Sequence, residues 1–173
     1  MTIHRQKRGH SSTVKYYFVE GKQQSPLILG LLKKMKKLSK LKLLLIEDDT
    51  IETMKFKRVV DEIDLDIQLT ILNNGEEALS QLQTDQSLPD LILLDLNMPK
   101  MDGLEFLKKL RTHQRLRYLP TVVLTTSDHQ KDVRQSYETG AAGFLAKPLK
   151  YDDYITVIKS LLKYWSHNEF VKL

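Results

Sequence analysis

The sequence predicts an α/β domain: a five-stranded parallel sheet in the order 2-1-3-4-5, with helices on both faces. Three observations lead there. Between Leu41 and Trp165, short apolar runs alternate with segments of helical periodicity, which is the pattern of repeated βαβ units. The runs are almost unbroken in Leu, Ile and Val, as strands buried on both faces require. The polar residues that could do chemistry stand where those runs end, and doubly wound sheets bind ligands beyond the carboxyl ends of their strands, where strand order reverses.

The elements follow in order. LKLLLI (41–46) is the first strand. TIETMKFKRVVDEI (50–63) is a helix expected to bury Ile51, Met54, Val59 and Ile63 on one broad face. IQLTIL (67–72) is the second strand, and NNG turns it into EEALSQL, a helix burying Ala78, Leu79 and Leu82. DLILL (90–94) is the third strand and GLEFLKKLR (103–111) its helix. PTVVLT (120–125) leads to a more polar helix around QKDVRQSYE. AGFLA (142–146) is the last strand, and DDYITVIKSLLKYW (152–165) closes the domain with Ile155, Ile158, Leu161 and Leu162 inward. This gives a domain over 41–165 and a short tail over 166–173.

Charge divides the chain. Residues 1–42 carry 11 Lys/Arg against the single acid Glu20, whereas residues 43–173 carry 16 Lys/Arg against 21 acids. A basic arm, expected to be disordered over 1–40, therefore precedes an acidic domain. The arm has the composition to touch a membrane surface or a polyanion, although a solvated tail is the simpler expectation; Met35 is an alternative start site. An acidic domain lacks the clustered Lys/Arg that phosphate backbones require. There is no cysteine, which excludes disulfides, thiolate metal sites and thiol nucleophiles. No apolar run reaches the ~18 residues of a membrane span. PLILGLL (26–32) sits too far from the start, behind a polar lead, to read as a signal-peptide core. The expected location is cytoplasmic.

The strand ends carry the function. Strand one ends in Glu47-Asp48-Asp49, strand three in Asp95, strand four in Thr125-Thr126-Ser127 and strand five in Lys147-Pro148. In the predicted strand order, the two acid-ended strands flank the switch point. Carboxylates converging there repel unless a cation joins them, and a hard oxygen site with few protein ligands favours Mg2+. A carboxylate beside that metal can attack a phosphoryl group, and Lys147 and Thr125 are the types that stabilise charge on the transferred oxygens. Taken singly, Asp48 or Asp49 is as readily a helix cap and Asp95 a turn residue; the combination argues for a site.

The segments LLLIEDD, LLDLNMPKMDG, VVLTTS and GAAGFLAKP, in this order and spacing, resemble the receiver domain of bacterial two-component response regulators, the CheY-like branch of the flavodoxin-like folds. The resemblance runs from about Leu41 to Trp165. It implies that Asp95 is the phosphoacceptor and that Glu47, Asp48, Asp95 and the backbone carbonyl of Asn97 hold Mg2+. It implies further that Thr125 and Lys147 contact the phosphoryl group, that Phe144 is an aromatic switch and that Lys147-Pro148 is a cis peptide. Glu47 is longer than the aspartate common at its position, Asp49 adds a third acid and Phe144 lacks a phenolic hydroxyl. Thr126, Asn97 and Ser127 stand where the family tunes dephosphorylation.

With eight residues after Trp165, a single-domain regulator without a DNA-binding output domain is expected. YLPTVVLTTSD, KPLKYDDY and the closing YW resemble the stand-alone receivers served by phytochrome-type or hybrid histidine kinases. A sensor histidine kinase or a phosphotransfer protein is the expected donor. The face formed by helix four, strand five and helix five, with Val133, Tyr137, Tyr151 and Tyr154, is a candidate partner or homodimer surface; equally, these aromatics cover the core. Two other functions stay open. An aspartate-nucleophile, Mg-dependent phosphatase usually carries a second Asp two positions on, where this chain has Asn97. A phosphorylation-independent receiver-like binding module would not need Glu47, Asp48, Asp95, Thr125 and Lys147 together.

Overall fold

The computed structural model describes residues 40–172, so all of the basic arm except Lys40 lies outside the described residues. The strands are β1 (Leu41–Ile46), β2 (Ile67–Leu72), β3 (Leu91–Leu94), β4 (Thr121–Thr125) and β5 (Gly143–Ala146). The helices are α1 (Thr50–Glu62), α2 (Gly75–Thr84), α3 (Gly103–Thr112), α4 (Gln130–Glu138) and α5 (Tyr151–Trp165), with a 3-10 turn at Leu116–Tyr118. All strand pairs are parallel, in the order β2-β1-β3-β4-β5.

Side chains alternate across a strand, and here β1 and β3 each feed two cores. Leu43, Leu45, Leu91, Leu93, Val122 and Leu124 face one side and meet Phe56 and Val59 of α1 and Tyr154, Ile158 and Leu162 of α5. Leu44, Ile46, Ile92 and Leu94 face the other and meet Ala78 and Leu82 of α2 and Phe106, Leu107 and Leu110 of α3. Covered on both faces, the central strands have no use for polar residues, which explains their composition.

Two helices differ from expectation. In α1 the buried stripe is Phe56 and Val59, with Val60 and Ile63 packed beside them, while Ile51 and Met54 are 65% and 68% exposed. The spacing 56, 59, 60, 63 is the i, i+3, i+4, i+7 stripe; Ile51 and Met54 project from the opposite side of the same cylinder. In α5 the core also takes Tyr154, 3% exposed and stacked on Tyr151 with ring centroids 6.3 Å apart. Tyr154 is therefore not available to a partner on the α4-β5-α5 face, whereas Tyr137 is half exposed. Helix α4 buries only Ser136, whose Oγ has no hydrogen-bond partner among the described residues.

Candidate functional site

Register brings the acids together. Ile46 pairs with Leu94 across β1 and β3, so the next residues, Glu47 and Asp95, leave the sheet side by side. Asp95 N–H donates to Ile46 O at 3.0 Å and Glu47 N–H to Leu72 O at 2.9 Å, which fixes both at the sheet edge. Thr125 is paired with Ala146 across β4 and β5, and Lys147 N–H donates to Thr125 O at 2.7 Å. The first residues after β1, β3 and β5 thus meet beyond the carboxyl edge, on either side of the switch point predicted from the sequence, with Thr125 ending the neighbouring β4.

Carboxylate oxygens of Glu47, Asp48 and Asp95 all lie within 4.8 Å of one another. Glu47 and Asp95 are buried and Asp48 is exposed. Asp49 takes the cap: its Oδ1 accepts from the N–H groups of Ile51 at 2.7 Å and Glu52 at 3.2 Å, which leaves Asp48 free of that job. Asp95 Oδ2 accepts from Asn97 N–H at 2.9 Å. Its Oδ1 is buried and has no hydrogen-bond partner among the described residues; Lys147 Nζ stands 3.5 Å from it. The same ammonium donates to Glu47 Oε2 at 2.5 Å. Burial raises the Glu47 carboxyl above its usual range, and the bond to Lys147 offsets this only in part. Burial acts to lower Lys147, yet its bond to Glu47 and the charges of Asp95, Glu47 and Glu52 prevail and keep the ammonium charged.

The remaining expected residues fall around this centre. Thr125 is fully buried, and its Oγ1 accepts from Ser127 N–H at 3.3 Å. Ser127 Oγ in turn donates to Asp132 Oδ2 at 2.5 Å, tying the β4–α4 loop to α4. Phe144, paired with Val123 one row below the site, is half-buried and belongs to neither core cluster. The loop after Asp95 is held by Gly103, whose N–H donates to Leu96 O at 3.0 Å. A Cβ at Gly103 would come within 2.3 Å of Asp95 O. The expected cis bond before Pro148 is not found; no described peptide is cis. Trans is the default even at proline, favoured by about 0.5–1 kcal/mol.

Sequence reasoning missed the exposure of Ile51 and Met54 on α1 and of Leu149 before α5. The offset between the 51, 54 pair and the 56, 59, 60, 63 stripe was the available signal. It also missed the Glu47–Lys147 pair, which links residues 100 positions apart and leaves no local trace.

Known proteins share this fold. Residues 43–159 match the response regulator receiver domain. The chain belongs to this family. The probable methanogenesis regulatory protein FilR2 of Methanothrix harundinacea is 35% identical over 127 residues, covering 71% of this chain and 82% of the relative. The response regulator Rcp1 of Synechocystis is 34% identical over 128 residues, covering 71% of this chain and 87% of Rcp1. The Mn(2+)-bound Rcp1 crystal structure superposes with a TM-score of 0.71 over 77% of this chain and 99% of that one, at 32% identity. The phosphorylated cyanobacterial phytochrome response regulator RcpA gives 0.73 over 78% of this chain and all of RcpA, at 26% identity. The receiver fold is CheY-like, and the chain is a two-component signalling receiver. Three clustered carboxylates around a buried, unpartnered Asp95 oxygen fit a hard divalent cation. Among the described residues no helix is long and apolar enough to cross a membrane.

Proposed function

We propose that the protein is a phosphorylation switch that accepts a phosphoryl group on Asp95 from a histidine kinase or a phosphotransfer protein. The observation that carries this reading is Asp95 Oδ1, a buried carboxylate oxygen without a hydrogen bond beside a charged lysine. An unsatisfied buried oxygen is costly, and a nucleophile whose attacking lone pair is left unengaged is what phosphoryl transfer requires. In this step Oδ1 attacks phosphorus, the bond from phosphorus to the donor histidine nitrogen breaks, and that nitrogen keeps the electron pair.

Glu47, Asp48, Asp95 and the carbonyl of Asn97 would hold Mg2+, which supplies positive charge opposite the phosphoryl oxygens. Lys147 supplies the second charge from the other side. Thr125 supplies a hydroxyl, and a turn of its side chain toward the phosphoryl group would give up the bond from Ser127 N–H. That exchange carries the signal into the loop bonded to Asp132 of α4. Phe144, half-buried and unclaimed by either core, is the side chain with room to follow. The α4-β5-α5 face, with Val133, Tyr137 and Tyr151, is then the surface whose populations shift for a partner or a second copy. The exposed Ile51 and Met54, in the helix that follows Glu47 and Asp48, and the exposed Leu149, close after Lys147, offer apolar landing points for the donor. The likeness to Rcp1 and RcpA supports a phytochrome-type kinase as donor and a cytoplasmic setting.

The test is incubation of the full chain with a small phosphodonor and Mg2+, followed by intact mass. One added phosphoryl group, lost with a chelator and lost in Asp95→Asn, is expected. An adduct that persists in Asp95→Asn would sink the assignment.

A further inference from the structure

We propose that the free edge of β2 is a docking strand for a basic, extended segment of a partner protein, in which Lys or Arg alternates with Val, Ile or Leu. Among the described residues β2 pairs with β1 alone, so its other side is an edge of the sheet. Leu41 N–H donates to Asp66 O and Glu47 N–H to Leu72 O, each at 2.9 Å, and the register between them is unbroken from Leu41–Ile67 to Ile46–Leu72. In such a parallel ladder the even-numbered residues of β2 turn their backbone groups to β1, and Ile67, Leu69 and Ile71 turn theirs outward. Natural sheets guard exposed edges with short strands, Lys or Pro. The opposite edge, β5, has these guards: it is four residues long and runs into Lys147-Pro148. β2 is six residues long, IQLTIL, with no charge and no Pro.

Charge decides what this edge takes. Asp64 and Asp66 lead into β2 and Glu76 follows it, all exposed and without an ion pair among the described residues. A second copy paired antiparallel about Leu69 would set the Asp64–Asp66 end of each strand against the Glu76 end of the other, and like charges placed opposite repel. A basic segment instead meets acids at both ends. The two faces of the edge differ as well. On the α2 side, Gln68, Thr70 and Asp85 line a cleft with Leu44, Leu72 and Leu82. Asp85 Oδ2 accepts from Gln81 Nε2 at 3.1 Å, and Lys42, also on the wall, has its ammonium bonded to Ser87 Oγ at 3.0 Å. A Lys or Arg stem lies along such leucines while its charge reaches the carboxylate. On the α1 side, Ile67, Leu69 and Ile71 are half-buried against the core of Phe56 and Val59, and an apolar side chain laid beside them extends that surface. Side chains alternate between the faces of a strand, so those of the partner alternate between basic and apolar.

The test needs no phosphodonor, so its outcome is separate from the reading of Asp95. A fluorescent peptide, KVKVRVK, is titrated into the full chain and followed by anisotropy, with KKKRVVV, of the same composition and charge, as control. The alternating peptide is expected to bind and the control to bind at least about tenfold more weakly. Asp85→Asn should weaken the alternating peptide by about tenfold, the loss of one charge-assisted contact. Amide exchange followed by NMR on the native chain then locates the peptide. Exchange at Ile67, Leu69 and Ile71 should slow by about tenfold or more, while Gln68 and Thr70, already turned to β1, stay as they were. Equal binding of the two peptides would reduce the effect to general charge attraction. Binding without protection at Ile67, Leu69 and Ile71 would place the peptide elsewhere. Either result, an unchanged affinity in Asp85→Asn, or no binding at all overturns the proposal.

Discussion

Tyr154 links core and site in one side chain. Its ring is packed among Phe56, Val59 and Ile158, and burial, then the charges of Glu52 and Glu47, push its phenol well above the ordinary value of 10.0. A group whose pKa is raised on folding stabilises the fold fully below its unfolded value, and that contribution is lost as pH rises toward the folded one. Stability to urea should therefore decline above about pH 10, and less steeply in Tyr154→Phe. Absorbance of phenolate against pH should lose its latest phase in the same variant. Ser136 makes the opposite case. Its buried hydroxyl has no partner, so Ser136→Ala should raise stability by about 1 kcal/mol in urea titrations. A variant less stable than the parent would show that the hydroxyl is satisfied in solution. The sequence left Tyr154 open between surface and core, and it did not single out Ser136. Tyr154 lies on the same helix as the aromatics expected at the surface, and nothing in SYE distinguishes an inward serine from an outward one.

At the level of elements, the third strand and its loop form the rigid part of the site. Gly103 lets α3 begin against the backbone of Asp95 and Leu96, so Gly103→Ala forces that loop to move. Overpacking of this kind costs about 1–3 kcal/mol, and phosphorylation by a small donor should fall with it, because the nucleophile itself is displaced. The α1 rim calls for a different outcome. Ile51 and Met54 are outside both cores, so Ile51→Ser with Met54→Ser should leave thermal stability within about 0.5 kcal/mol. Acceptance from a small phosphodonor should be unchanged, while transfer from a histidine kinase slows; equal slowing with both donors would place the residues in the site instead. The strands were legible because burial on both faces leaves an unbroken apolar run. The faces of α1 were not, since a helix with six apolar residues over 51–63 offers more than one stripe, and only packing against β1 and β3 selects among them.

Across the whole molecule, the sheet order turns four separate strand ends into one site. The parallel register sets Glu47 beside Asp95 and brings Lys147 to both. The sheet that does this depends on its two cores. Phe106 is fully buried in one of them, and Phe106→Ala should cost about 3–5 kcal/mol and abolish phosphorylation only as far as it unfolds the chain. The convergence of Glu47, Asp95 and Lys147 was legible in the sequence, because chemically apt residues stood at the ends of four of the five strands. Its internal pairing was not: the preference of Lys147 for Glu47 over Asp95 depends on side-chain reach across three strands. The central claim remains that Asp95 receives the phosphoryl group. Borohydride reduces an aspartyl phosphate to homoserine, so peptide mass spectrometry after phosphorylation and reduction locates the acceptor directly. The account predicts homoserine at position 95 and nowhere else; homoserine at another acid, or none despite a phosphoryl adduct, would contradict it.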